Sequence, residues 1–175
     1  MDYSELEKNH IAETKAALES TNNRKVLAKI VELRSKGNVN ILPFLLDLLK
    51  PGQIETIRSE VLIFISELRS QDCVAVVVSY IKRLKGSEDL SGLISACWQS
   101  QLDYSEYLET FADCFITGTY QDAIESFTVI EEMSLRSKHS VIERCRLKLL
   151  SRQSEVSEEK KPLFKELLKI LIDSN

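Results

Sequence analysis

Apolar residues recur along this chain at intervals of three and four, the spacing that places them on one face of an α-helix. Residues 22–36 carry Val26, Ile30 and Leu33 in this way, and residues 54–69 carry an equivalent set. Four of the five glycines fall between the apolar stripes, at positions 37, 52, 86 and 118. Glycine is typical of the residue just past a helix end, so these positions predict turns.

The pattern predicts an all-α protein of ten helices. Their predicted bounds are 4–19, 22–36, 41–50, 54–69, 74–85, 88–101, 103–117, 119–135, 138–152 and 162–173. Residues 73–78 are Cys-Val-Ala-Val-Val-Val, which by composition is typical of a buried strand. Val74, Val77 and Ile81 nevertheless follow helical spacing, so we expect a helix there too.

The helices repeat. Residues 30–35, Ile-Val-Glu-Leu-Arg-Ser, recur at 65–70 as Ile-Ser-Glu-Leu-Arg-Ser, an offset of 35. Further steps of 31 and 34 align three sets of apolar residues: Val77, Tyr80 and Leu84; Leu108, Phe111 and Phe115; Ile142, Cys145 and Leu149. A period of 30 to 40 residues with two helices per unit is typical of helical repeat arrays, in which stacked neighbours bury a continuous core.

The chain resembles the HEAT and armadillo-like α-solenoids over roughly residues 22–152. Residues 57–58, Ile-Arg, match that family's Val-Arg ahead of the first helix's apolar stripe, and Asp72 falls in the turn within the repeat. The Arg is not repeated in the other units. The resemblance implies one domain, an α-α superhelix: a cap helix in 1–21, four helical hairpins in 22–152, and a polar joint with a C-terminal cap helix in 153–175. An ordinary helical bundle is the alternative fold.

Composition agrees with helices and a reducing compartment. Only 5 Gly and 3 Pro occur in 175 residues, fewer than β-sandwiches need. The longest apolar run has six residues against the ~20 needed to span a bilayer, and the first ten residues lack the pattern of a signal peptide. We therefore expect a cytoplasmic protein without a transmembrane segment. Four cysteines at helical core positions lack zinc-site spacing and predict buried, reduced thiols: Cys73, Cys97, Cys114 and Cys145.

Catalytic chemistry is not predicted. The chain has two histidines, His10 and His139, no Gly-x-Ser-x-Gly turn and no glycine-rich phosphate loop. Glu7 and His10 match half of a helical di-iron motif, but the second half is missing. Iron-binding HEAT-like hydroxylases use His-Glu dipeptides, and neither histidine here precedes a Glu. We expect no enzyme activity, no cofactor and no metal.

Charge is the most informative property. Residues 86–135 contain ten acidic residues and no Lys or Arg, whereas residues 136–152 are net +5. Glu106, Glu109 and Asp113 follow one side of a helix, opposite the apolar side that carries Leu108, Phe111 and Phe115. They predict an acidic surface that steers a basic partner segment. Cations of residues 144–152 lie where they could pair with these acids.

Tyr104 and Tyr107 flank Glu106 and are typical of interface anchors at a partly exposed edge. A merely solvated acidic face with aromatic packing is the alternative interpretation of this block. The leading hypothesis is a non-catalytic protein-interaction scaffold of unknown oligomeric state. Nucleic-acid binding is the alternative, disfavoured because the acidic block interrupts a basic stripe, and would use Lys82, Arg83, Arg144, Arg146, Lys148 and Arg152. A third hypothesis is an acidic inhibitor or immunity-type protein that covers a basic enzyme.

Overall fold

The computed structural model describes residues 5–34, 39–84 and 86–173, and every regular element within them is helical. Ten α-helices follow in chain order: α1 (Glu5–Leu18), α2 (Asn23–Leu33), α3 (Leu42–Leu46), α4 (Glu55–Ser66), α5 (Cys73–Arg83), α6 (Leu90–Gln99), α7 (Leu108–Thr117), α8 (Tyr120–Ser134), α9 (His139–Ser151) and α10 (Lys161–Asp173). The all-α prediction is confirmed, and residues 73–78 form the first half of α5. The predicted turn at Gly37 and the predicted first helical residue Ser4 lie outside the described residues.

The helices that differ most from the prediction are α3 and α7, each five residues shorter than predicted. Helix α3 ends at Leu46 because the amides of Leu48 and Leu49 bond three residues back, to Leu45 and Leu46, at 3.0 and 2.9 Å. This tighter winding leads into Pro51, which cannot continue a helix. Before α7, the predicted start at residue 103 is instead a 3-10 turn over Ser105–Tyr107.

The helices pack in two series. Each even-numbered helix contacts the next, from α2 through α4, α6 and α8 to α10. Among the odd-numbered helices, α1 contacts α3, α3 contacts α5, and α7 contacts α9. The three aligned apolar sets of the sequence repeat lie in the core between the series, with Leu84 alone half-buried.

The last helix closes the core. Helix α10 packs on α8 and α9, and it buries Phe164, Leu167 and Leu171. Its partners on α8 would otherwise face solvent at the end of the even-numbered series. Within the described ranges, no helix has the length and apolar character that crossing a bilayer requires.

The four cysteines agree with the sequence prediction. All of them are free and buried, one each on α5, α6, α7 and α9. Burial raises the pKa of the Cys97 and Cys145 thiols to about 12.

Candidate functional site

The predicted acidic residues lie on the outer side of α7. Leu108, Phe111 and Phe115 are fully buried, so the opposite side of the helix points away from the core. Glu109 and Asp113 lie on that side, and the exposed Glu106 precedes them in the 3-10 turn. The orientation expected from the helical spacing is confirmed.

Helix α9 and the residues on either side of it, Lys138 and Arg152, place a cation opposite each of these acids. Lys148 Nζ and Arg152 Nη1 both lie 2.7 Å from carboxylate oxygens of Asp113. Arg144 Nε lies 3.0 Å from Glu109. The fourth pair joins Lys138 Nζ, at the start of α9, to Glu106 at 3.0 Å.

We call these seven side chains the charge ladder: Glu106, Glu109, Asp113, Lys138, Arg144, Lys148 and Arg152. The ladder joins the predicted acidic surface to part of the basic surface of the nucleic-acid hypothesis, the pairing that the sequence allowed for residues 144–152. Three of the six basic residues of the nucleic-acid hypothesis belong to it. Arg146 bonds Glu143 instead, and Lys82 and Arg83 lie on α5, where Arg83 stacks 4.4 Å from the Tyr80 ring centroid.

The expected exposure of Tyr104 is wrong. Its side chain is fully buried and makes an edge contact with Phe111, with ring centroids 5.9 Å apart. The turn explains the difference, since Asp103 Oδ1 accepts a 2.9 Å hydrogen bond from the Ser105 amide and so the chain turns Tyr104 inward. Burial raises the pKa of the Tyr104 hydroxyl. Tyr107 is half-buried and remains available at the surface.

Tyr107 and Glu106 line a cleft between the start of α5 and the turn before α7. The cleft has a volume of about 440 Å³, and we call it the α5–α7 cleft; its lining residues are Gln71, Asp72, Val74, Ala75, Asp103, Ser105, Glu106 and Tyr107. Three of them are carboxylates and none is Lys or Arg. The hydrogen bonds from Ser105 hold the pKa of Asp103 below its usual value, so this carboxylate stays negative.

Gln71 fixes the shape of the cleft. Its side-chain oxygen accepts a 3.0 Å hydrogen bond from the Asp103 amide, and its side-chain nitrogen donates to the Asp103 carbonyl at 2.5 Å. The turn before α5 is thereby tied to the turn before α7. The two acids that the sequence hypothesis missed, Asp72 and Asp103, are 31 residues apart, which is the repeat step found between Val77 and Leu108.

The chemistry available in the cleft is recognition of positive charge. Carboxylates attract Lys and Arg side chains, and a half-exposed tyrosine ring adds a surface on which a guanidinium can stack. Among the residues that the structure describes, no group of three or more His, Cys, Asp or Glu is placed to hold a metal ion. Comparison with known proteins finds no matching family model, no matching curated protein and no matching solved structure.

Proposed function

We propose that this protein is a non-catalytic interaction scaffold, a short HEAT-like α-solenoid that binds a basic segment of a protein partner at its acidic third repeat. The observation that carries the proposal is the α5–α7 cleft. Its lining combines Asp72, Asp103 and Glu106 with the half-buried Tyr107 and contains no Lys or Arg. Such a surface favours a positively charged partner segment.

The hydrogen bonds between successive units support the solenoid. Gln71 bonds to Asp103, Ser137 bonds to Ser105, and Lys138 bonds to Glu106, and each pair spans 32 residues of sequence. A constant offset is expected when one structural unit is repeated along an axis, because each unit contacts its neighbours in the same way. The consecutive packing of even-numbered helices, from α2 to α10, agrees with this arrangement.

The ladder changes which acids we assign to binding. Asp113 already faces two cations of α9, and Glu109 faces a third, so their main effect is to join α7 to α9. Glu106 also has a cation, but it is exposed and lines the cleft. The proposed binding residues are therefore Glu106 and Tyr107 from the sequence hypothesis, together with Asp72 and Asp103.

The same contacts weigh against the nucleic-acid hypothesis. Phosphate binding requires cations that are free to replace counterions. Arg144, Lys148 and Arg152 already meet carboxylates of α7, and Arg146 meets Glu143 on its own helix. A continuous basic stripe is not left on α9.

A variant that removes two of the negative charges in the α5–α7 cleft tests the proposal. In the double variant Asp72→Asn and Glu106→Gln, two carboxylates are lost without a change of shape, and neither side chain caps a helix in the structure. The matched control is Glu13→Gln with Glu166→Gln, which removes the same charge from exposed positions on α1 and α10.

The probe is a fluorescein-labelled nona-arginine peptide, followed by fluorescence anisotropy at 50 and 300 mM NaCl. Two exposed charge pairs at about 0.5–1 kcal/mol each predict an affinity roughly five- to thirtyfold weaker for the cleft variant. The control variant should stay within twofold of the original protein. If nona-arginine binding weakens equally in the cleft variant and the control variant, the peptide is attracted by the net charge of the protein and not by the cleft. Tighter binding of a 20-base-pair DNA duplex than of the peptide would favour the nucleic-acid hypothesis instead.

A further inference from the structure

A second groove lies on the even-numbered series, where α6 and α8 end. It has a volume of about 720 Å³, and we call it the Trp98 groove; its lining residues are Trp98, Gln99, Gln101, Glu132, Leu135 and Arg136. Leu135 is 82% exposed, more than any other large apolar side chain that the structure describes. An isolated exposed leucine is ordinary, but this one lines the same groove as a half-buried tryptophan.

The tryptophan is held in place by an acid of α8. Trp98 Nε1 donates a 2.9 Å hydrogen bond to Glu125 Oε2, and Gln121 donates a 2.7 Å hydrogen bond to the other oxygen. The indole ring is thus oriented before any partner arrives. A preformed aromatic surface loses less side-chain freedom on binding than a mobile one.

The groove lining holds one acid, Glu132, and one cation, Arg136, and the two helices beside it add only acids. Neither α6 nor α8 contains a Lys or Arg, and α8 carries Glu125, Glu131 and Glu132. In contrast to the charge ladder, Glu131 and Glu132 form no ion pair within the described part of the chain. Arg136 closes one end, where its charge contributes to the lowered pKa of Asp103.

We propose that the Trp98 groove docks a basic amphipathic segment of a protein partner, whose apolar side chain covers Leu135 and Trp98 while its Lys or Arg residues face Glu131 and Glu132. Tryptophan is enriched among the residues that supply most of an interface's binding energy, and the surrounding charges set its specificity. This inference rests on the proposed function, since it assigns a second surface to the same class of partner.

Charge argues against other occupants of the groove. A second copy of this chain would bring only one cation of the groove, Arg136, to this face, fewer than a Lys- or Arg-rich segment supplies. An anionic lipid surface would meet the exposed carboxylates of Glu131 and Glu132. A basic segment is the occupant that the side chains complement.

The groove carries its own reporter, because Trp98 is the only tryptophan of the chain. The probe is a 14-residue peptide with Leu and Lys at helical spacing, titrated against Trp98 fluorescence. Two comparison peptides replace every Lys by Glu or every Leu by Ser. We expect a saturable shift of the emission with the Lys-Leu peptide, at least tenfold tighter than with either comparison peptide.

Two variants locate the binding. Leu135→Ser should weaken the Lys-Leu peptide at least tenfold, whereas Leu147→Ser, at a 52% exposed position on α9, should stay within twofold. Equal weakening in the two variants, or an equal response to the Glu-Leu peptide, would overturn the proposal. The mass of the protein in solution, without peptide, is a further check. A mass that increases with protein concentration in the original protein but not in Leu135→Ser would overturn the proposal in favour of self-association.

The two proposals fail separately. The cleft variant Asp72→Asn with Glu106→Gln should leave the Trp98 response unchanged, because neither residue lines the groove. If the original protein shows the Trp98 response to the Lys-Leu peptide but does not bind nona-arginine, the cleft is rejected and the groove is supported. An intact nona-arginine signal without a Trp98 response would reject the groove alone.

Discussion

The ammonium group of Lys160 donates a 2.9 Å hydrogen bond to the carbonyl oxygen of Gly118, the residue that follows α7. It also donates to the carbonyls of Phe115 and Ile116, at 3.0 and 2.8 Å. The last carbonyls of a helix have no amide partner within the helix, and a positive charge there is favoured by the helix dipole. Residues before α10 therefore secure the end of the helix that carries the acids.

This contact predicts a large effect of Lys160→Met. Lys160 is 3% exposed, so the variant keeps an apolar stem of similar volume but leaves three carbonyls without their donor. We expect a loss of roughly 2–4 kcal/mol in the free energy of unfolding, measured by urea titration. The matched control is Lys161→Met, whose ammonium pairs with Glu158 at the surface, and it should change stability by less than about 0.5 kcal/mol. Similar losses in the two variants would contradict the assigned contact.

The charge ladder predicts a measurable coupling between Asp113 and Arg152. Their side chains are only 22% and 28% exposed, so the pair is partly shielded from water. A double-mutant cycle with Asp113→Asn and Arg152→Gln should give about 0.5–1 kcal/mol at 50 mM NaCl, decreasing at 500 mM. The control cycle joins Asp113→Asn with Arg146→Gln, because Arg146 lies on α9, the helix that Arg152 follows, but pairs with Glu143. Equal coupling in both cycles would mean that α9 acts only through its net charge.

Much of this arrangement could be predicted because it follows from local periodicity. The stripes that bury Ile30, Ile65 and Phe111 depend only on the 3.6-residue turn, so helix number and core face follow from the order of residues. The same spacing directs Asp113 away from the core. The repeat offset also indicated that cations of α9 lie near the acids of α7, as the ion pairs show.

The features that the sequence pattern did not predict depend on contacts between distant residues. The inward position of Tyr104 results from the Asp103 turn, whose backbone is held by Gln71, 32 residues earlier. Leu135 is the last residue of the predicted helix 119–135, and its exposure depends on which element covers the end of α8. Periodicity carries no information on either point, since it describes one helix at a time.

The burial of Tyr104 predicts contrasting effects of two substitutions. Its hydroxyl oxygen is buried and has no hydrogen-bond partner among the described residues, so Tyr104→Phe should leave stability within about 0.5 kcal/mol or raise it. Tyr104→Ala should cost roughly 3–5 kcal/mol, because it removes a large ring from the core. Nona-arginine affinity should not change in Tyr104→Phe, whereas Tyr107→Ala should weaken it. A weaker peptide complex in Tyr104→Phe would restore the interface role first expected for this residue.

Gln101 predicts a stabilising substitution. Its φ is 62°, and no other non-glycine residue of the described chain has a positive φ. Because a side chain in the left-handed region costs about 1–2 kcal/mol, Gln101→Gly should raise the free energy of unfolding by roughly 0.5–1 kcal/mol. Gln99→Gly, two residues earlier in α6, should lower it by a similar amount. Thermal unfolding of the two variants and the original protein checks both signs. A lower stability of Gln101→Gly would show that the contacts of the Gln101 side chain stabilise the fold by more than the positive φ destabilises it.

The buried thiols predict how stability depends on pH. Burial raises the pKa of Cys97 and Cys145 from 9.0 to about 12, so the folded protein resists deprotonation that the unfolded chain undergoes. A raised pKa of an acidic group gives stability that is complete below pH 9 and is lost as the pH rises toward 12. The slope is about 1.4 kcal/mol per pH unit for each thiol, or roughly 2 kcal/mol per thiol by pH 10.5.

The measurement compares the original protein with the double variant Cys97→Ala and Cys145→Ala by urea unfolding between pH 7 and 10.5. Tyrosine and lysine side chains titrate in both proteins, so their effects largely cancel in the difference. At pH 7 the variant should be the less stable protein, because it loses packed sulfur atoms. Above pH 9 the gap should narrow by roughly 1.4 kcal/mol per pH unit for each removed thiol, since only the original protein loses this contribution. Parallel curves would mean that these thiols ionise equally easily in the folded and unfolded chains, and rapid thiol labelling of the native protein at pH 8 would then be expected.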